Sequence, residues 1–327
     1  MIQKEREIPR KIEQLQALLR RLPEAHPKKP QIQEELAKRM AGFRGEQALD
    51  YYLLFLDKTK YMIYNDLRLT DETSFFQMDT LVVSSSFLLL VEIKNISGTI
   101  HFDGTFSQLV RTKDGRETGF PNPLLQVKRH ELQFGNWLEL NKFPPIPLES
   151  VVVISNPSTI IKSSNQPQHS IQRIIHSANF LTKMEQVQNK YANNRFSPKD
   201  LRKLNTTLLK KHTPKHVDIL QEFHIRESEL VKGVSCPQCT AIPMTRKSGK
   251  WICPTCLFTS QNAHLSSLQD YTLLLRSSIT NHQLRTFLHI TSRNIASDLL
   301  KSLNITSTGT KKGTIYHLSN KNLPNNL

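Results

Sequence analysis

The chain has little of what would place it outside the cell or in a membrane. Of its 327 residues only four are cysteine, and they fall in two close pairs, Cys236/Cys239 and Cys253/Cys256. Two such pairs point to metal ligation in a reducing compartment before they point to disulfides. Long apolar runs are missing: Phe87 to Val91, for one, is far too short to span a bilayer. The first six residues, Met1-Ile2-Gln3-Lys4-Glu5-Arg6, carry charge where a signal peptide needs an apolar stretch. A cytoplasmic address without membrane contact is therefore the expectation. Acids are scarce too, with 28 Asp+Glu against 44 Lys+Arg and a formal net charge of +16. A polyanion is the natural partner of such a chain, because phosphate contacts supply most nucleic-acid affinity. An anionic membrane surface would attract the same charge. From Lys232 to Leu327 there are eleven Lys and Arg and only two acids, Asp270 and Asp298, so the positive field concentrates at the C-terminal end.

Residues 1–40 are charged and Gln-rich, with Leu15, Leu18, Leu19 and Leu22 at helical spacing before Pro23, Pro27 and Pro30 break the pattern. They predict an N-terminal helical extension. Ala48, Leu49, Tyr52, Leu53 and Leu56 follow at amphipathic-helix spacing, then Tyr61 to Tyr64 reads as a strand. Met78–Val83 and Phe87–Ile93 are short apolar runs separated by three serines, as expected of adjacent strands in a buried sheet. After a short strand near Ile100, Pro121-Asn122-Pro123 halts the chain, Leu124–Leu140 resumes a helical period, and Val151–Ile154 reads as a central strand. The order predicts an α/β or α+β domain over residues 41–160. Residues 161–231 read as helical completion and linker, without assigned chemistry.

The informative string is Asp79, twelve residues, then Glu92-Ile93-Lys94. Adjacent antiparallel strands joined by a tight turn would bring the two carboxylates to one rim of the sheet. Together with the Ile93 carbonyl they are suitable oxygen ligands for Mg2+ or Mn2+. Lys94 lies two residues after Glu92 and so shares its face. An ammonium there can stabilise charge developing on a phosphate. Acids and lysines at strand ends are often only solvated charges, but acids directly after a buried run such as Phe87–Val91 are disfavoured unless paired or ligating.

Taken together, Gly42-Phe43-Arg44-Gly45-Glu46, Gln77-Met78-Asp79, Val91-Glu92-Ile93-Lys94-Asn95-Ile96-Ser97-Gly98 and Asn122-Pro123-Leu124-Leu125-Gln126 resemble the NERD (nuclease-related) domain of the PD-(D/E)xK nuclease superfamily. The resemblance implies a restriction-endonuclease-like mixed sheet flanked by helices. It implies metal ligation by Asp79 and Glu92, with Lys94 at the water or transition state. Glu46 would be an accessory acid, and Gln126 would orient the site or the substrate. His130 falls in the aromatic place of a Gln-x-x-x-Tyr element. Two positions depart from the pattern: Met78 stands where the superfamily name has Pro, and Thr80 where His is expected.

Cys236-Pro237-Gln238-Cys239 and Cys253-Pro254-Thr255-Cys256 form two C-x2-C knuckles thirteen residues apart. Four thiolates at this spacing predict a closed structural Zn2+ site in a zinc ribbon over residues 232–265. Arg246, Lys247, Lys250 and Trp251 would give the ribbon a basic, aromatic face for DNA. Asn281–His289 and Ser292–Leu303 read as two helices, followed by two β-prone stretches around Gly309–Gly313. Residues 266–327 thus resemble a winged helix, with Arg293 and Asn294 beginning a recognition helix and Lys311 and Lys312 on the wing. The whole reads as a Mg2+-dependent deoxyribonuclease, of use in DNA processing or repair, delivered by basic C-terminal modules. RNA remains an open substrate, and the alternative is a non-catalytic DNA- or RNA-binding protein that keeps a nuclease fold.

Overall fold

The computed structural model describes residues 2–318. The chain runs β1 (Ile2–Lys4), α1 (Arg10–Arg21), α2 (Lys29–Leu53), β2 (Met62–Thr70), β3 (Phe75–Val83), β4 (Leu88–Lys94), β5 (Thr99–Asp103), β6 (Gln108–Lys113), β7 (Arg116–Pro121) and α3 (Pro123–Leu140). It continues with β8 (Leu148–Ile154), β9 (Ile160–Ser164), α4 (Gln168–Ile171), β10 (Ile174–His176), α5 (Phe180–Lys190) and α6 (Pro198–Lys211). The remainder comprises α7 (Ile219–Glu222), β11 (Thr245–Lys247), β12 (Lys250–Ile252), β13 (Thr259–Ser260), α8 (His264–Leu274), β14 (Ser278–Thr280), α9 (Asn281–Leu288), α10 (Arg293–Ser302), β15 (Ser307–Thr308) and β16 (Ile315–His317).

Two compact units result, and they cut the chain differently from the expected segments. The first joins residues 1–7 to 40–215; the second joins 8–39 to 216–327. Residues 1–40 are therefore not one extension: β1 belongs to the first unit and α1 to the second. The first helix does end before Pro23, and a second follows the prolines: Pro30 sits in the first turn of α2, where its missing N–H costs nothing, and α2 is 25 residues long.

The first unit is mixed α/β. Its main sheet has the order β1-β2-β3-β4-β8-β10, with β2, β3 and β4 antiparallel and β4, β8 and β10 parallel. Strand β4 is central and buried on both faces, which is why its sequence is nearly all apolar. Leu88 and Leu90 face Phe134, Trp137 and Leu138 of α3 and Leu204 and Leu208 of α6. Leu89, Val91 and Ile93 face Leu49 and Leu53 of α2 and Phe180 and Met184 of α5. Each such leucine contributes roughly 1.5–3 kcal/mol through burial. A smaller sheet, β7-β6-β5-β9, packs Ile100, Phe102 and Leu109 with Val127 of α3 and Val152 and Ile154 of β8.

In the second unit, β11-β12-β13 form a small antiparallel sheet that carries the cysteine pairs in its flanking turns. Helices α8, α9 and α10 follow with a second three-stranded sheet in the order β14-β16-β15. The two parts share one core, in which Trp251 and Met244 of the cysteine-bearing part join Leu268, Tyr271, Phe287 and Leu300. Helix α1 packs on α8, and its Arg21, fully buried, donates to Asp270 Oδ2 (2.8 Å) and the Gly233 carbonyl (2.7 Å). No described helix is long and apolar enough to cross a membrane.

Candidate active site and cysteine cluster

The site forms where β3 and β4 part. Their ladder ends at Thr80↔Val91, so the next facing positions, Asp79 and Glu92, are not paired through their backbones. Asp79 fills the gap with its side chain: Oδ2 accepts from the Ile93 N–H at 2.8 Å. On the other side β4 stays paired with β8 as far as Lys94↔Ile154, which keeps the Glu92–Lys94 end rigid. Asp79 meets the rim where the β3–β4 ladder ends, and alternation puts Glu92 and Lys94 on the same face as Leu90. That is the face covered by α3, whose first turn is set by Asn122 capping the Leu124 N–H and by Pro123 at the first helical position. Gln126 follows one turn later, and Lys94 Nζ donates to both Glu92 Oε1 (2.6 Å) and Gln126 Oε1 (3.1 Å). His130, one turn further along α3, stands 3.9 Å from Glu92 Oε2.

Glu46 approaches from α2, on the opposite face. The close approach depends on Gly45, where a Cβ would lie 2.4 Å from that of Asn95 and 2.7 Å from Ser155 Oγ. Asn95 in turn donates to the Ala41 carbonyl (2.7 Å), tying the end of β4 to the same helix. Sequence reasoning missed the group that Glu46 meets. Arg6, its side chain only 3% exposed, donates from Nη1 to Glu46 Oε2 at 2.8 Å and to the Asp79 carbonyl at 3.3 Å. Nε binds both Asp50 carboxylate oxygens at 3.1 Å, and Nη2 reaches Thr80 Oγ1 (2.9 Å) and Asn65 Oδ1 (3.1 Å). Thr80, where a histidine was expected, thus holds Arg6. Asp66 is a further missed acid: it sits at φ +52° between the paired residues Asn65 and Leu67, and its charge acts on Asp79 and Glu46.

The electrostatics follow from crowding acids at a buried rim. Burial, then the Asp79 charge, push Glu92 up to about 8 against the pull of Lys94. The same two causes raise Glu46 to about 7 against Arg6. Burial also raises Asp79, although the Ile93 N–H opposes it. Lys94 is drawn down by burial but held above the ordinary lysine value by Glu92, so it stays an ammonium. Burial and the charges of Arg129 and Lys94 push His130 down to about 4, leaving it neutral. Carboxylates that resist ionisation when alone are what a divalent cation would discharge, so the Asp79–Glu92 oxygens suit a hard metal. Glu46, Asp79 and Glu92 do not close into one cluster: among the described residues, only the four cysteines bring three or more His, Cys, Asp or Glu ligand atoms within 4.8 Å.

Residues 41–155 match the family model of NERD, the nuclease-related domain. No curated protein and no solved structure matches the chain. The NERD range contains Glu46, Asp79, Glu92, Lys94 and Gln126, whereas Arg6 lies outside it.

In the second unit, the four cysteines converge as their spacing predicts and could hold a structural metal such as zinc. All four sulfurs lie within 4.8 Å of one another, with Cys236–Cys256 at 3.6 Å and Cys239–Cys253 at 3.5 Å, and none is in a disulfide. Tetrahedral Zn–S bonds of about 2.3 Å need sulfurs at about this separation. Backbone N–H groups of Cys256 and Thr255 aim at Cys253 and lower its thiol to about 6, whereas Cys239 and Cys256 are raised by the thiols beside them, so the four sulfurs share their protons as one crowded group.

Trp251 corrects an expectation. It is 1% exposed, in the core, and its Nε1 donates to His264 Nδ1 at 3.2 Å, so no base can stack on it. The indole instead backs Arg246, whose guanidinium lies 5.1 Å from the ring. Lys247, Lys250, Arg293, Asn294 and Lys311 are all exposed. The side chain of Lys312 lies outside the described residues.

Proposed function

We propose that the first unit is a metal-dependent nuclease that hydrolyses DNA phosphodiester bonds. The observation that carries the reading is the convergence of Asp79, Glu92, Lys94 and Gln126 at one rim of the sheet, inside a range that matches a nuclease-related domain. Asp79 and Glu92, with the Ile93 carbonyl, are the oxygens to hold Mg2+ or Mn2+, which would supply Lewis acidity at the scissile phosphate. Lys94 remains an ammonium and offers N–H donors to a phosphate oxygen on which charge develops. Gln126 helps to direct that ammonium by accepting from it at 3.1 Å. His130, neutral and buried behind Glu92, limits how that carboxylate can rotate.

The second unit we read as a zinc ribbon followed by a winged-helix-like module that grips the substrate. Support comes from the cysteine geometry and from the order α8, β14, α9, α10, β15, β16, with a sheet in which β16 lies between β14 and β15. Arg293 and Asn294 open α10, with Ser292 capping the Ile295 N–H. Of the two acids after residue 232, Asp270 is buried against Arg20 and Arg21, so it scarcely dilutes the surface charge.

One observation favours a second reading, a nucleic-acid-binding protein without catalysis. Glu46 and Glu92 each have an in-chain cation, Arg6 and Lys94, so the fold stands without a metal. Cleavage of labelled supercoiled, linear, single-stranded and branched DNA, and of RNA, with Mg2+, Mn2+ or EDTA separates the two. The nuclease reading expects metal-dependent cutting that Asp79→Ala abolishes; tight binding of every substrate without cutting would give the second reading the lead.

A further inference from the structure

Arg6 stands in a cage made only of oxygen. Glu46 Oε2, both Asp50 oxygens, Asn65 Oδ1, Thr80 Oγ1 and the Asp79 carbonyl surround its guanidinium at 2.8–3.3 Å. All three nitrogens of the head group are engaged, and the side chain is almost wholly buried. Oxygens from two carboxylates, an amide, a hydroxyl and a carbonyl are also the ligand types that hard divalent cations take. The cage adjoins the Asp79–Glu92 rim on the other face of the sheet, and Asp79 belongs to both: its carboxylate to the rim, its carbonyl to the cage. Phosphodiester hydrolysis is served by one cation or by two held on either side of such an acid.

We infer that Arg6 is a positioning residue that fills the second cation seat with a fixed guanidinium, so that the site takes one divalent ion and not two. This rests on the reading that Asp79 and Glu92 hold a divalent cation. Beside Glu46 and Asp50, Arg6 balances charge that would otherwise need a mobile counterion. Five donors in a rigid plane match this array of acceptors in a way a lysine would not. The guanidinium also fixes Glu46 and the Asp79 backbone, and through Asp79 the oxygen that faces Glu92.

The test is a count of bound Mn2+ by paramagnetic titration of the zinc-loaded full chain, in wild type, Arg6→Gln and Asp79→Asn. The inference expects one Mn2+ in wild type, two in Arg6→Gln at millimolar Mn2+, and loss of the first in Asp79→Asn. Two ions in wild type, or no gain in Arg6→Gln, overturns it. If Arg6→Gln fails to fold without metal, Mn2+ must restore its near-UV circular dichroism; failure to fold with or without Mn2+ also overturns it. The parent reading fails separately: wild type that binds no Mn2+ removes the Asp79–Glu92 metal, while a single ion gained by Arg6→Gln would still support the cage.

Discussion

Replacing Glu92 with glutamine should stabilise the metal-free protein at alkaline pH while removing its response to Mg2+. Glu92 is 3% exposed and its carboxyl is raised from 4.5 to about 8, chiefly by burial and then by the Asp79 charge. In the unfolded chain it titrates near its ordinary value. Between about pH 4.5 and 8 the folded protein therefore binds more protons than the unfolded one, and stability falls as pH rises through that window. At roughly 1.4 kcal/mol per pH unit, and allowing for the Lys94 contact that the mutation weakens, the cost of the ionised side chain is about 2–4 kcal/mol at pH 8.5. Glutamine keeps the size of the side chain and an oxygen for Lys94 Nζ, so the cost goes while the packing stays. The assay is urea unfolding in EDTA at pH 5 and pH 8.5, followed by thermal melts with and without Mg2+. Expected are near-equal stabilities at pH 5, a gain of about 2–4 kcal/mol for the variant at pH 8.5, and Mg2+ stabilisation of wild type alone. A variant no more stable than wild type at pH 8.5 would refute the claim that this carboxylate is held against its own electrostatics.

Other consequences follow from different parts of the molecule. Mg2+ affinity of the wild type should rise with pH between about 7 and 9, because Glu92 (about 8) must lose its proton to accept it; a flat calorimetric profile would contradict this. Asp270→Ala leaves the buried Arg21 without its carboxylate and should cost about 3–5 kcal/mol in chemical denaturation, whereas Arg21→Met combined with Asp270→Leu should recover most of it. Zinc removal should open the core around Trp251: in a Trp137→Phe background, chelation is expected to red-shift the remaining indole emission, and an unchanged spectrum would separate the cysteines from that core. Lys250→Glu and Arg293→Glu should each lower the salt slope of DNA binding by about 1 for every phosphate left without its cation. Trp251→Phe should leave that slope unchanged.

What could be read from the sequence was what short-range chemistry dictates. The cysteine knuckles are legible because ligation fixes their spacing. Strands β3 and β4 are legible because a strand buried on both faces must be apolar, and the charges that interrupt Val91-Glu92-Ile93-Lys94 stand out for the same reason. Helices α3, α9 and α10 showed through the stretches Leu124–Leu140, Asn281–His289 and Ser292–Leu303, and the structure adds their caps at Asn122, Thr280 and Ser292. The strands β6 and β7 did not show, since β7 is largely exposed and its residues need not alternate. The division into units was hidden because it depends on contacts such as Arg21 with Asp270, 249 positions apart. Arg6 was hidden likewise: nothing in Lys4-Glu5-Arg6-Glu7 distinguishes the residue that enters the site from its charged neighbours. Asp66 did leave a trace, a polar Asn65-Asp66 step between the apolar Met62-Ile63-Tyr64 and the alternating Leu67-Arg68-Leu69.

The proposed nuclease stands or falls with the Asp79–Glu92–Lys94 rim as a working hydrolytic centre. Single-turnover cleavage of a preferred DNA with Mg2+, comparing wild type with Lys94→Ala and Asp79→Asn at matched DNA occupancy, tests it most directly. Expected are cutting by wild type, none in EDTA, and a fall of at least about 100-fold in each variant with binding retained. Variants that bind and cut as well as wild type would contradict it.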